Sequence, residues 1–114
     1  MRYKRNEPFR YQFEKPIYCI LQTNQEKIDG SILDLSPNGM KVTSTKDLPL
    51  FRTIHITFGL NGNQFKITGN VRWKKSCLAS CVGGIQLQND QSAAKAITRE
   101  LKEYVKKFPK SASM

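Results

Sequence analysis

The chain has 114 residues, with 19 lysines and arginines against 9 acidic residues and a formal net charge of +10. That length holds one domain with a modest core; no apolar run approaches the ~18 residues of a membrane span, and Met1-Arg2-Tyr3-Lys4-Arg5 leads into no signal-peptide core, so a cytoplasmic protein is expected. Three cysteines (Cys19, Cys77, Cys81) and a single histidine make neither a disulfide framework nor a good zinc set, while the charge favours anionic partners: nucleic acid, an anionic nucleotide, an acidic protein surface or phospholipid.

Residues 1–10 carry no apolar period and Pro8 opposes a helix, so a flexible basic arm is expected there. From Tyr11 the pattern becomes strand-like: Tyr11 and Phe13, then, after Lys15-Pro16, the run Ile17-Tyr18-Cys19-Ile20-Leu21. Asn24-Gln25-Glu26 is turn-like, and two further strands, about Lys27 to Leu33 and about Gly39 to Ser44, complete an antiparallel meander. After the connection Lys46-Asp47-Leu48-Pro49, the segment Thr53–Phe58 alternates with period two, placing Ile54, Ile56 and Phe58 on one face and His55 on the other. His55 has no nearby partner for catalysis. Asn61-Gly62-Asn63 is a strong hairpin signal. It leads into a long strand in which Phe65, Ile67, Val71 and Trp73 share a parity, which predicts a core-facing row with Trp73 in the core or at its rim and a bulge or bend at Gly69. Lys74 to Ala79 is expected to cross over to a last strand, Cys81–Leu87, weakened by Gly83 and Gly84. From about Gln91 the period changes: Ala94, Ile97, Leu101, Tyr104, Val105 and Phe108 form one stripe of an amphipathic helix, capped by Asn89 or Asp90 and ending before Pro109. The lysines and arginines from Lys95 to Lys110 fit a solvated surface. Residues 110–114 are expected to be a disordered tail, leaving 11–109 as the folded domain. Six or so strands followed by one helix predict an all-β, mainly antiparallel barrel or strongly bent sheet with the helix against an open end.

Between the second and third strands lies Asp34-Leu35-Ser36-Pro37-Asn38-Gly39. Pro37, Asn38 and Gly39 are turn residues, the last two suited to positive φ. Asp34 and Ser36 add a carboxylate and a hydroxyl beside a glycine that a ligand can approach closely. The same residues also fit an ordinary hairpin in which Asp34 and Ser36 cap backbone amides. No nucleophile elbow, P-loop, dinucleotide fingerprint, zinc-protease motif or acid/base pair is present, which favours an anion-binding module over an enzyme.

The basic arm, Asp34-x-Ser36-x-x-Gly39, Gly69-Asn70-Val71-Arg72-Trp73 and Val82-Gly83-Gly84-Ile85-Gln86-Leu87 before a helix, in this order, resemble the PilZ domain family across nearly the whole chain. The resemblance implies a six-stranded barrel with a C-terminal helix and a receptor for the bacterial second messenger cyclic di-GMP, coupled to motility, surface polysaccharide or biofilm through a downstream protein partner. It also implies a ligand site made of an R-x-x-x-R arm and the D-x-S-x-x-G turn. The arm departs from that pattern: Arg10 matches, Asn6 stands where the second arginine belongs, and Arg5 lies one residue too far from Arg10. Guanidinium groups bond bidentately to phosphate and to guanine O6 and N7, and stack on bases. Losing one charge-assisted contact of about 1.5–3 kcal/mol weakens binding roughly ten- to a hundred-fold, although Arg2, Lys4 and Arg5 can compensate by a shift of register.

On this resemblance Arg5 and Arg10 clamp phosphates and stack on guanine, Arg2 and Lys4 steer, Asp34 accepts from guanine N–H groups, Ser36 bonds a base or sugar-phosphate oxygen, and Asn38 and Gly39 admit the ligand to the backbone. Arg72 and Trp73 are secondary candidates, and ordering of the arm is the signal. Two other classes stay open: a degenerate adaptor that binds protein and no nucleotide, and a small basic barrel that binds nucleic acid through its charge and aromatic stacking.

Overall fold

Alternation of buried and exposed side chains builds six strands, and their pairing closes them into a ring. In the computed structural model, which describes residues 10–76 and 79–108, these are β1 (Tyr11–Gln22), β2 (Lys27–Leu35), β3 (Gly39–Ser44), β4 (Thr53–Leu60), β5 (Asn63–Ser76) and β6 (Cys81–Leu87), followed by α1 (Gln91–Lys107). The closed barrel runs β1-β2-β3-β6-β5-β4, with every neighbouring pair antiparallel. Leu21, Ile32, Val42, Ile54, Ile56 and Val71 fill its interior with no exposed surface. The expected meander and hairpin are present. Asn61 and Gly62 take φ of 56° and 83°, the two positive values that a type I′ hairpin turn requires.

Three expectations change in detail. Lys74 to Ser76 continue β5, paired with Gly83, Val82 and Cys81, so no crossover exists there. Gly83 and Gly84 are sites of close packing: a Cβ on Gly83 would meet Leu48, which plugs one barrel end, and a Cβ on Gly84 would run into the Trp73 indole. Lys74 holds that plug in place by donating to the Leu48 carbonyl at 2.9 Å and the Asp47 carboxylate at 2.8 Å.

The third change concerns β5, where the bulge falls at Arg72 and Gly69 stays in register. Val71 pairs with Ile85 and Trp73 with Gly84, so Arg72 has no opposite residue. One inserted residue reverses the alternation beyond it, and Trp73 points outward, 47% exposed. A second insertion occurs in β2. Ile32 pairs with Val42 and Asp34 with Lys41, leaving Leu33 over; the inward parity passes from Ile32 to Leu35 and Asp34 turns to the outer face. β1 breaks register at the same level, with four residues against one between the pairs Gln12–Asp34 and Ile17–Ile32, where Pro16 has no N–H to give to the ladder.

The other barrel end is covered by α1. Asp90 caps it by accepting from the Ser92 and Ala93 amides at 3.0 and 3.2 Å. Ile97 and Leu101 are fully buried, each contributing about 1.5–3 kcal/mol of burial, and Tyr104 packs edge-on against Tyr11 and Phe13 at 5.6 and 5.3 Å. Phe108, by contrast, is 56% exposed at the helix end. Asn61 ties the β4–β5 turn to the helix, its Nδ2 donating to the Glu100 carbonyl at 2.7 Å and to its Oε1 at 3.0 Å. Among the described residues no helix is long and apolar enough to cross a membrane. Cys19 and Cys81 are buried, and burial pushes the Cys19 thiol up to about 12; Cys77 lies outside the described residues.

Donation from Asn61, with lesser help from Asn63 and Arg99 and against the cost of burial, holds the Glu100 carboxyl below its ordinary 4.5. A depressed carboxylate stabilises the fold above its unfolded pKa and ceases to do so as pH falls through the folded value. Glu100→Gln is therefore expected to melt below wild type at neutral pH, with the gap closing below about pH 4; thermal melts from pH 3 to 7 check this.

Candidate functional site

The two insertions bring their residues to one place. Pairing sets Asp34 (β2), Lys41 (β3), Gly84 (β6) and Trp73 (β5) in a single row across the outer face, and Gly39, Gln86 and Asn70 in the next row. Since directly opposite residues share a face, the first row runs from a carboxylate through an ammonium to an indole. It forms the floor of a cleft of about 410 Å³ that also takes in Arg10, Asn38 and Arg72. Arg10, Lys41 and Arg72 face one carboxylate in that lining, so the cleft is net cationic and suits an anion.

Gly84 explains how an indole lies flat here. Without a side chain on its cross-strand partner, Trp73 leans over the β6 backbone, leaving nearly half its surface open. Such a ring offers a stacking surface to any planar base.

Arg10 and Asp34 pair with each other. Arg10 Nη1 donates to Asp34 Oδ1 at 2.5 Å, with the Asp34 side chain 11% exposed and that of Arg10 47%. Screening through the exposed guanidinium limits this charge-assisted bond to about 1–2 kcal/mol. A guanine base presents its N1–H and 2-amino group as a parallel donor pair, the same arrangement that a guanidinium offers. Asp34 thus already accepts from one guanidinium N–H, and a guanine N–H edge is the donor that the family resemblance sets against it.

Ser36 takes a different place from Asp34. It is fully buried; its Oγ accepts from the Gly39 amide at 3.1 Å and the Asn38 amide at 3.3 Å, and donates to the Gly39 carbonyl at 3.3 Å. The Ser36 amide also donates to the Gly39 carbonyl at 2.9 Å. With the turn closed by this hydroxyl, neither Asn38 nor Gly39 adopts the positive φ anticipated for them. Gly39 meets a spatial demand instead, since a Cβ there would stand 3.0 Å from the Ile85 carbonyl and 3.9 Å from Arg10 Nη2. The Asn38 carbonyl accepts from the Leu87 amide at 2.9 Å, fastening the turn to the end of β6.

Of the residues singled out in the sequence, the structure brings together Arg10, Asp34, Asn38, Gly39, Arg72 and Trp73, with Ser36 behind them. Arg2, Lys4, Arg5 and Asn6 lie outside the described residues. Sequence reasoning missed Lys41 and Gln86. Lys41 was accessible, being two residues beyond Gly39 on a strand and hence on its face; Gln86 joins only through its pairing with Gly39. His55 is exposed on β4 and shares a 3.1 Å hydrogen bond with Thr68, away from the cleft.

The PilZ domain family model matches residues 2–107 of the chain. The fold is similar to the PilZ domain with c-di-GMP of YcgR from Escherichia coli, with a TM-score of 0.70 and 13% identity over 87% of this chain and 93% of that one. It is also similar to the Bacillus subtilis inhibitor of motility MotI/DgrA, with a TM-score of 0.67 and 12% identity, covering 94% of this chain and 54% of that one. A third similar structure is the PilZ domain of CeSA from a cellulose synthesizing bacterium, with a TM-score of 0.59 and 12% identity over 82% of this chain and 97% of that one. A search of curated proteins by sequence found no match. With the family pattern matched over residues 2–107 and the barrel, turn and helix in the corresponding order, the chain belongs to the PilZ domain family.

Proposed function

We propose that this chain is a regulatory module that binds cyclic di-GMP in the outer-face cleft, with no catalytic step of its own. The observation that carries the reading is the row Asp34–Lys41–Gly84–Trp73, which sets a carboxylate, a cation and an open indole side by side, with Arg10 and Arg72 at its margin. These are the groups a dinucleotide of two guanines and two phosphates calls for: an acceptor for the guanine N–H edge, cations for phosphate, and a ring for stacking. The ligand-bound YcgR domain, similar in fold, supports the same reading.

In this account the guanine edge takes Asp34 from Arg10, at a cost of about 1–2 kcal/mol, or roughly tenfold in affinity. Arg10, released, turns to a phosphate or stacks on the base with Arg5, while Arg2 and Lys4 contribute charge. Lys41 and Arg72 hold the second phosphate or guanine O6 and N7, and Trp73 stacks on a base. Ser36 acts by holding Asn38 and Gly39 close to the ligand. Binding fixes residues 1–10 against the cleft, and that change is passed to a downstream protein partner in control of motility or biofilm. Asn6 and the existing Arg10–Asp34 pair favour one second reading, a protein adaptor in which that pair is permanent and no nucleotide enters.

Calorimetric titration with cyclic di-GMP, GTP and a single-stranded oligonucleotide at moderate salt separates these readings. Heat with cyclic di-GMP alone supports the receptor; no heat with it at high micromolar concentration supports the adaptor; and a steeply salt-dependent response to the oligonucleotide alone points to nucleic acid. In the receptor, Arg10→Ala is expected to weaken binding roughly ten- to a hundred-fold, a loss reduced by the release of Asp34. An unchanged affinity contradicts the role of Arg10.

Gly84→Val is expected to push Trp73 off the floor and weaken cyclic di-GMP by about as much as Trp73→Ala, roughly five- to a hundred-fold for one lost stack. The double variant is expected to lose little more than either single one, because both remove the same contact. Calorimetry on the three variants checks this.

A further inference from the structure

A second groove of about 550 Å³, which shares Asn38 with the cleft, lies between the β2–β3 turn and α1, lined by Pro37 and Asn38 of the turn and by Ala94, Lys95, Arg99 and Lys102 of the helix. Lys95, Arg99, Lys102 and Lys106 recur at spacings of four, three and four, so they stand on one face of the helix and extend for roughly 16 Å along it. The two carboxylates of α1 offset only part of that face. Glu100 is buried toward Asn61, 3.7 Å from Arg99 at its nearest, and Glu103 lies beside Lys106 at 3.7 Å. Lys95 and Lys102 make no ion pair among the described residues. Like charges three and four apart weaken an isolated helix, and within the stripe Lys95 and Lys102 have no carboxylate among the described residues to offset this.

We propose that this groove docks an acidic, amphipathic helical segment of a partner protein. Charge complementarity selects the occupant. One wall is cationic, while the other, the turn, carries Pro37 and the neutral Asn38. A segment with carboxylates along one edge and small apolar residues beside them meets both walls. A nucleic acid strand would set its phosphates on the cationic wall but turn its bases to the other, and no aromatic ring lines the groove to stack on them. A membrane surface would call for large apolar side chains to insert, and none lines the groove. Docking needs no nucleotide. Only its control by ligand, through Asn38, which lines both cleft and groove, rests on the cyclic di-GMP reading.

The test uses the full chain at low salt without nucleotide, and a labelled helical peptide of about 20 residues with glutamates along one edge and alanines beside them, followed by fluorescence anisotropy. Wild type is expected to bind. K95E/R99E/K102E is expected to lose at least about tenfold in affinity, while K15E/K27E/K75E, with the same change in net charge on exposed residues elsewhere, is expected to bind as wild type does. Should the reversal variant melt early, K95Q/R99Q/K102Q is expected to show a smaller loss in the same direction. Equal losses in the two reversal variants, no binding up to about 1 mM peptide, or tighter binding of phosphatidylserine vesicles or an oligonucleotide through the same three residues would overturn the proposal.

Discussion

Everything at the candidate site follows from one constraint of strand geometry: a residue inserted in a strand sends all that follow it to the other face. A closed barrel normally spends its alternation on a clean division between core and solvent. Here that division is broken once in β2, at Leu33, and once in β5, at Arg72. Both breaks lie on strands that flank the β3–β6 pair, at the same level of the barrel. Without them Asp34 and Trp73 would point toward the core, where a carboxylate would lack water and an indole would compete with Ile85 and Val71 for space. With them the two side chains stand in one row on the outside, and the intervening Lys41 and Gly84 complete it.

The Arg10–Asp34 pair belongs to the same economy of charge. Asp34 is only 11% exposed, and a carboxylate so covered needs a donor. Arg10, at the threshold of β1, supplies one. The partner that keeps Asp34 satisfied without ligand is therefore a residue of the arm that the site is proposed to recruit. A modest bond of this sort stabilises the empty state by an amount that a dinucleotide, with several charge-assisted contacts, can exceed. On the cyclic di-GMP reading, this one contact bears on both the stability of the free domain and its response to ligand.

Much of the fold was legible in the residues. Period-two runs marked the strands, Asn61-Gly62 the hairpin, and the Ile97–Leu101–Tyr104 stripe with Asp90 the helix, because each of these signals is local. The site was legible in part. Asp34, Gly39 and Arg10 stood out by residue type and order, and the family resemblance joined them. Trp73 reads as core or rim because its parity with Val71 runs through Arg72 as if no residue were inserted, and Gly69 draws the expected bulge or bend because glycine is its usual marker. An insertion between two ordinary residues leaves no local signature; it shows only when the partner strand is known. The same holds for Gln86, which joins the site by pairing with Gly39, and for Ser36, whose hydroxyl closes the turn and frees Asn38 and Gly39 from positive φ.

The chain's single tryptophan stands on the floor of the proposed ligand site, open to solvent and over a residue without a side chain. Its emission therefore reports on that floor directly. Titrating the full chain with cyclic di-GMP while recording tryptophan fluorescence is predicted to give a saturable quench with a shift in the emission maximum, as a base stacks on the indole and displaces water. Emission of Trp73 that stays unchanged while cyclic di-GMP is bound by the same sample would place the ligand elsewhere and contradict the account.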